Sequence, residues 1–290
     1  MQNSQDKLKK EQPSTYYAQD RQNEEELVRL TVQGKVITEA MEGLLSEQPD
    51  PDLFRRVLDV GCGPGEWVIA AAKMYPTMSL TGIDISQRMI EYAREQAAQQ
   101  HVTDDVEFHV MDALRTLEFP ASYFDLVNLR CAQGFMHTWD WPKMISELLR
   151  VCSPGGIVRV TNAEAGGSTN SSALAQFFEL FQSSLFQAGN FFEQAPNGLT
   201  AHLAPLLKQH GCQRVQTKSY SVVYRAGTPE GEAYIEDMKR SFRTLRPFTQ
   251  KWHSTIKNHD YDAICQQALN EMQQGNFYST WNLLTAWGTK

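Results

Sequence analysis

Nothing in the 290-residue sequence approaches the roughly 18 consecutive apolar residues of a membrane span. Its opening, MQNSQDKLKKEQPS, also lacks the apolar stretch of a signal peptide. The expectation is a cytoplasmic protein with no membrane partner. Cysteine is sparse: five residues, at 62, 131, 152, 212 and 265, odd in number and without a C-x-x-C pair. That argues against a disulfide framework and against a metal site, and for reduced thiols. Basic excess is missing too. Lys and Arg number 27 against 34 Asp and Glu, a net charge of −7, so nucleic acid is a disfavoured partner. There is no internal repeat and no low-complexity tract. With 41% hydrophobic and 21% charged residues, a disordered chain is ruled out and a sizeable core is permitted.

What is present is an alternation of strand and helix. Residues 1–22 are polar and read as a mobile leader, with residues 23–290 as a single domain. From Glu24, Leu27, Leu30, Gly34, Ile37, Met41 and Leu44 recur at helical steps, and Pro49 and Pro51 are expected to stop that helix. RVLDV (56–60), SLTGIDI (79–85), VEFHV (106–110), FDLVNLR (124–130) and IVRVTNA (157–163) read as strands. Helices are expected between them, one over 67–75, one capped by Ser86 and one opened by Trp141-Pro142. This order predicts an α/β fold, a mostly parallel sheet wound with helices on both faces. Beyond Glu164 the pattern changes: a helix with Phe177, Phe178 and Phe181 on one stripe, a short helix at 203–211, a strand at 215–225, helices near 230–256 and 260–274, and a last strand, FYSTWNLLTAWG.

The strongest local signal is VLDVGCGPGEW (57–67), where a strand ends, Gly61, Gly63 and Gly65 alternate, and a helix begins. Glycine lets a ligand approach the backbone, and the carboxyl edge of a first strand is where an open α/β sheet binds. Asp84 ends the second strand, about 20 residues on, where a carboxylate can accept both hydroxyls of a ribose. Asp112 follows the third strand and could accept from an adenine amine. A dinucleotide fingerprint would place its third glycine at position 66, where this chain has Glu66. An acid there opposes a pyrophosphate and suits a phosphate-free, cationic nucleoside.

V-L-D-V-G-C-G-P-G, G-I-D-I-S, the aspartate after strand three and R-V-C-S-P-G-G resemble the class I S-adenosylmethionine-dependent methyltransferases, most closely the broad group acting on small molecules, quinones and natural products. The resemblance implies a Rossmann-like sheet with an antiparallel last strand and helical cap insertions near 166–200 and 230–275. It implies S-adenosyl-L-methionine as cofactor, lined by Gly61, Gly63 and Gly65, with Asp59 supporting the turn. Asp84 would hold the ribose, Ile85 and Met89 would flank the adenine, and Asp112 and Ala113 would meet its edge. Arg130 would sit beside the methionine moiety. Residues 23–50 resemble a helical lid, with Tyr16, Tyr17 and Arg29 closing over the cofactor.

The expected reaction is transfer of a methyl group to an O, N or C nucleophile of a small, partly apolar molecule. His137, in the loop after strand four, is the candidate base, because histidine titrates in the useful range. The phenylalanines at 177, 178, 181, 191 and 192, with Trp139 and Trp141, are candidate acceptor walls. The strand-four segment reads N-L-R-C rather than N-P-P-Y, which further disfavours nucleic-acid modification. The same motifs would serve a cofactor-binding enzyme that performs a cyclisation or rearrangement. A nicotinamide-dependent oxidoreductase is the more distant alternative.

Overall fold

The structure is a computed structural model and describes residues 24–253 and 256–290. Its elements run α1 (Glu24–Ala40), β1 (Arg56–Val60), α2 (Glu66–Met74), β2 (Ser79–Asp84), α3 (Gln87–Gln99), β3 (Val106–Val110), β4 (Phe124–Arg130), α4 (Trp141–Val151) and β5 (Cys152–Ala163). The second half adds α5 (Ser172–Gln187), α6 (Thr200–Gln209), β6 (Gln213–Arg225), α7 (Pro229–Trp252), α8 (Asn258–Met272) and β7 (Tyr278–Thr289). The seven strands form one sheet in the order β3-β2-β1-β4-β5-β7-β6. β1 to β5 are mutually parallel, and β7 runs antiparallel to both β5 and β6. The chain order reverses beside β1, whose neighbours are β2 and β4. Such a switch point opens a crevice at the carboxyl ends of the strands.

The central strands are apolar on both faces because helices cover both. Val57 and Leu80 pack with Trp67 and Val68 of α2 and with Ile90 and Ala93 of α3. Leu58 and Val127 pack on the other side with Trp141, Ile145 and Leu148 of α4 and with Leu203 and Leu207 of α6. A third core joins α5, α7 and α8 over the carboxyl edge of the sheet. There Phe177 meets Phe242 edge to face at 4.6 Å, and the buried Tyr261 hydroxyl donates to the Phe242 carbonyl at 2.7 Å. Among the described residues no helix is long and apolar enough to cross a membrane, and no disulfide forms.

Several boundaries differ from the sequence expectation, among them those of α1, β5 and α6. α1 stops at Ala40 rather than near Pro49, because Glu42 and Gly43 turn left-handed and the Gly43 N–H donates back to the Thr38 carbonyl at 3.0 Å. Met41, Leu44 and Leu45 are then buried by the turn rather than by a helix face. β5 begins at Cys152 and absorbs Pro154-Gly155-Gly156, with a register shift against β4 between Phe124 and Leu126. α6 starts at Thr200 and runs through Pro205.

Candidate functional site

A cleft of about 130 Å³ lies where β1, β2 and β4 end, roofed by Leu30, Gln33, Gly34 and Ile37 of α1. Gly61 and Gly63 line it, with Cys62 and Pro64 between and after them. Gly63 has φ +53, and a methyl group built on it would touch nothing within 4 Å, so the bare backbone faces the cleft. Its N–H donates to Asp84 Oδ2 at 3.0 Å, while the Ser86 N–H donates to Oδ1 at 2.9 Å. These two backbone donors orient the Asp84 carboxylate, which is 4% exposed and lines the cleft. Gly65 serves differently. It caps α2 at φ +78, and a Cβ there would come within 2.7 Å of the Ala93 Cβ and 2.8 Å of the Phe108 ring. It is therefore the close-packing glycine that the sequence reading sought at position 66.

Asp59, Glu66 and Arg130 make the cleft floor charged, and behind Asp59 runs a chain of buried polar groups. Asn128 Nδ2 donates to Asp59 Oδ1 at 2.8 Å, Arg159 Nη1 donates to Asn128 Oδ1 at 2.7 Å, and Arg159 Nε donates to Glu47 Oε1 at 2.7 Å. All four side chains are buried. Burial pushes the Asp59 carboxyl up to about 6 against the pull of Arg130, Asn128 and Arg159. Burial also raises Glu47, but the charge and hydrogen bonds of Arg159 outweigh it and hold Glu47 below the usual carboxylate range. Glu66, at the start of α2, lies 3.7 Å from the Arg130 guanidinium, which sits over the Trp67 ring. Burial raises the Glu66 carboxyl, with Arg130 and Lys35 opposing. Its Oε2 is buried with no hydrogen-bond partner among the described residues.

A second cavity, of about 250 Å³, opens under the cap helices. It shares Leu30, Gln33, Cys131 and Phe135 with the first, so the two adjoin across the loop that follows β4. Phe177, Phe178 and Phe181 of α5 line it, joined by Tyr224, Tyr234, Met238 and Trp281 from β6, α7 and β7. Phe191 and Trp141 instead lie in the core beneath the sheet, Phe192 packs beside it and against His202, and Trp139 is 64% exposed.

The remaining expected site residues fall in several places. Met89 is buried and lines the first cleft, as does Arg130. Ile85 is 41% exposed beside it and lines neither cavity. The Asp112 carboxylate accepts the Leu114 N–H at 2.9 Å and pairs with Arg115 at 3.3 Å, and Ala113 packs on the core; neither lines a cavity. Arg29 is 5% exposed and lines the larger cavity, not the glycine cleft. Tyr16 and Tyr17 lie outside the described residues. His137 stacks on Trp139 at 4.4 Å and bonds Asp140 Oδ2 at 3.1 Å; among the described residues no histidine lines either cavity. Glu66, which the sequence marked as an acid facing the cofactor, lines the cleft; sequence reading missed Phe135 as a cleft wall, and Gln133, Glu164, Tyr224, Tyr234 and Trp281 as chamber walls. Position alone held a clue for Gln133 and Glu164, since each follows a parallel strand at its carboxyl end.

A bare-backbone turn, a buried carboxylate oriented by two backbone N–H groups and a charged floor at a switch point define a class: an α/β domain fit to hold an adenosine-containing cofactor. The floor also fits a cofactor that carries an amino-acid group. Glu66, paired with Arg130 only at 3.7 Å, suits an ammonium, and Arg130 suits a carboxylate. Residues 57–156 match the family model described as a methyltransferase domain. Demethylmenaquinone methyltransferase of Deinococcus radiodurans is 36% identical over 102 residues, which cover 35% of this chain and 40% of the relative. The enzyme of that name from Staphylococcus aureus is 36% identical over 104 residues, covering 36% and 41%. The chain thus spans about two fifths of the length of the curated relatives it matches. Among solved structures, the YcgJ protein of Bacillus subtilis shares the fold at a TM-score of 0.51 and 19% identity, over 81% of this chain and 92% of that one. Residues 57–156 are thus a methyltransferase domain, set in the Rossmann-like fold of the enzymes that draw their methyl group from S-adenosylmethionine.

Proposed function

We propose that this protein transfers a methyl group from S-adenosylmethionine to a nucleophilic atom of a small, partly apolar molecule seated in the cap chamber. The observation that carries the reading is the wall of Leu30, Gln33, Cys131 and Phe135 common to both cavities, which brings an acceptor in one against a cofactor in the other. When bound, the cofactor supplies a carbon already activated by a positively charged sulfur. Gly61, Gly63 and Asp84 would hold its adenosine portion, with Met89 beneath, and Glu66 and Arg130 its charged amino-acid portion. The chain's own work is alignment and exclusion of water. Fixing two reactants in an attack geometry is worth about 7–11 kcal/mol of barrier. α1 and the cap helices supply that enclosure from opposite sides of the loop after β4. A base is needed only where the acceptor must lose a proton. His137, held between Trp139 and Asp140, would serve as one only after the 135–140 loop moved.

Calorimetry with S-adenosylhomocysteine and with NADH tests the cofactor. Binding of the former alone is expected, and no binding of it would defeat the proposal. Mass spectrometry of candidate compounds incubated with the protein and S-adenosylmethionine tests the acceptor, the expected signature being a gain of one methylene. Turnover confined to a polynucleotide or a large protein would refute the small-molecule part, and a product of unchanged mass would point to rearrangement.

A further inference from the structure

The chamber's walls are mostly aromatic rings and hydrocarbon, and its charges are unequal: the carboxylates of Glu164 and Asp237 against the single guanidinium of Arg29. Arg29 sits toward the shared wall, close enough for its charge to act on the Cys131 thiol. Glu164 follows β5 directly. Its backbone N–H donates to the Asn282 carbonyl and its Oε2 accepts from Asn282 Nδ2, both at 2.9 Å, so the carboxylate is held in one orientation. Gln133 stands beside it, on the loop after the neighbouring strand β4, and its backbone N–H donates to Asn162 Oδ1 at 3.2 Å. The Gln133 side-chain oxygen is buried and has no hydrogen-bond partner among the described residues. Buried polar atoms left in that condition want explanation, and an acceptor atom on a cavity wall asks for a donor from the ligand.

We infer that the molecule held in this chamber is a cationic amine, its N–H groups directed to Glu164 and Gln133 and its hydrocarbon lying against the rings. The inference rests on the methyltransferase reading and narrows its substrate class. A carboxylate and an amide oxygen are both acceptors, so at these two atoms a quinone carbonyl or an anionic group would bring acceptor to acceptor. An ammonium satisfies both atoms, and aromatic faces add cation–π attraction. The tyrosines reinforce this. Tyr224 and Tyr234 stack at 4.1 Å, and burial raises both phenols, with the charge of Asp237 adding to the effect, so the rings remain neutral faces. Held as a cation, the nitrogen has no lone pair to offer. It is the handle, and the methylated atom is another one on the same molecule.

The test uses the full chain saturated with S-adenosylhomocysteine, titrated calorimetrically with 2-phenylethylamine, 2-phenylethanol and 3-phenylpropionate. The amine is expected to bind about tenfold more tightly than either of the others, as a charge-assisted bond to a part-buried carboxylate requires. Glu164→Gln is expected to erase that preference while leaving S-adenosylhomocysteine affinity and the melting temperature unchanged. Equal binding of the three, tighter binding of the propionate, no detectable binding of the amine, or a preference that survives Glu164→Gln would overturn the inference. The comparison on the unsubstituted chain needs no variant to fold. If S-adenosylhomocysteine itself fails to bind, the underlying reading falls, which separates that failure from this one.

Discussion

Replacing Asp59 by asparagine probes the charged floor of the cofactor cleft. The side chain is buried, and its acidity is weakened until it titrates at about 6 rather than 3.8. A carboxyl whose folded value is raised holds its proton more tightly when folded, so it stabilises least at high pH. Stability falls as pH rises from the unfolded value to the folded one and then levels off. Linkage makes the destabilisation that Asp59 brings less than about 1 kcal/mol at pH 4, about 2 kcal/mol at pH 5 and about 3 kcal/mol at pH 8. Asparagine keeps the volume and can still accept from Asn128 Nδ2, but has no charge to desolvate. Asp59→Asn should therefore stabilise the ligand-free protein, more at pH 8 than at pH 5. In melting temperature the gain at pH 8 is roughly 5 °C for a chain of this length. Affinity for S-adenosylmethionine should move the other way, weakening several-fold at pH 8, where the lost charge would have faced a cation. Thermal melts and calorimetry across pH 5 to 8 decide it. A variant less stable than the parent at pH 8, or a stability gap that does not vary with pH, would refute the reasoning.

Asp84→Ala should weaken S-adenosylhomocysteine binding at least tenfold by calorimetry, because it removes the acceptor that fixes the Gly63 and Ser86 N–H groups as well as the diol partner. Arg159→Met should destabilise the fold by about 3–5 kcal/mol in urea titration, since it leaves the buried Glu47 charge without its partner. Gly166→Ala should lower turnover and leave S-adenosylhomocysteine affinity intact. Its Cβ would lie 2.5 Å from the Phe178 ring, at φ +100, and would press that ring into the chamber. Gly34→Ala should instead weaken cofactor binding, since its Cβ would fall 2.6 Å from Glu66 Oε2.

The sequence by itself determined the parallel half of the sheet and the presence of the glycine turn. Short apolar runs such as VLDV and DLVNL, separated by helix-length segments, have few other ways to bury both faces, and a strand ending in G-C-G-P-G is a local signal. Asp84 was legible for the same reason, since its place at a strand end follows from counting along the chain. Tertiary structure decided which side chains meet. β7 inserts between β5 and β6, a pairing that no local pattern encodes, and this brings Trp281 and Asn282 to the chamber wall and to Glu164. The stacked Tyr224 and Tyr234 come from elements whose sequences read only as a strand and a polar helix. Gly65 and Glu66 exchanged the duties that a spacing rule would assign them, because the room beside each is set by Phe108, Ala93 and Gly34. Periodicity records which face of an element is buried; what lies opposite that face is fixed by contacts between residues far apart in the chain.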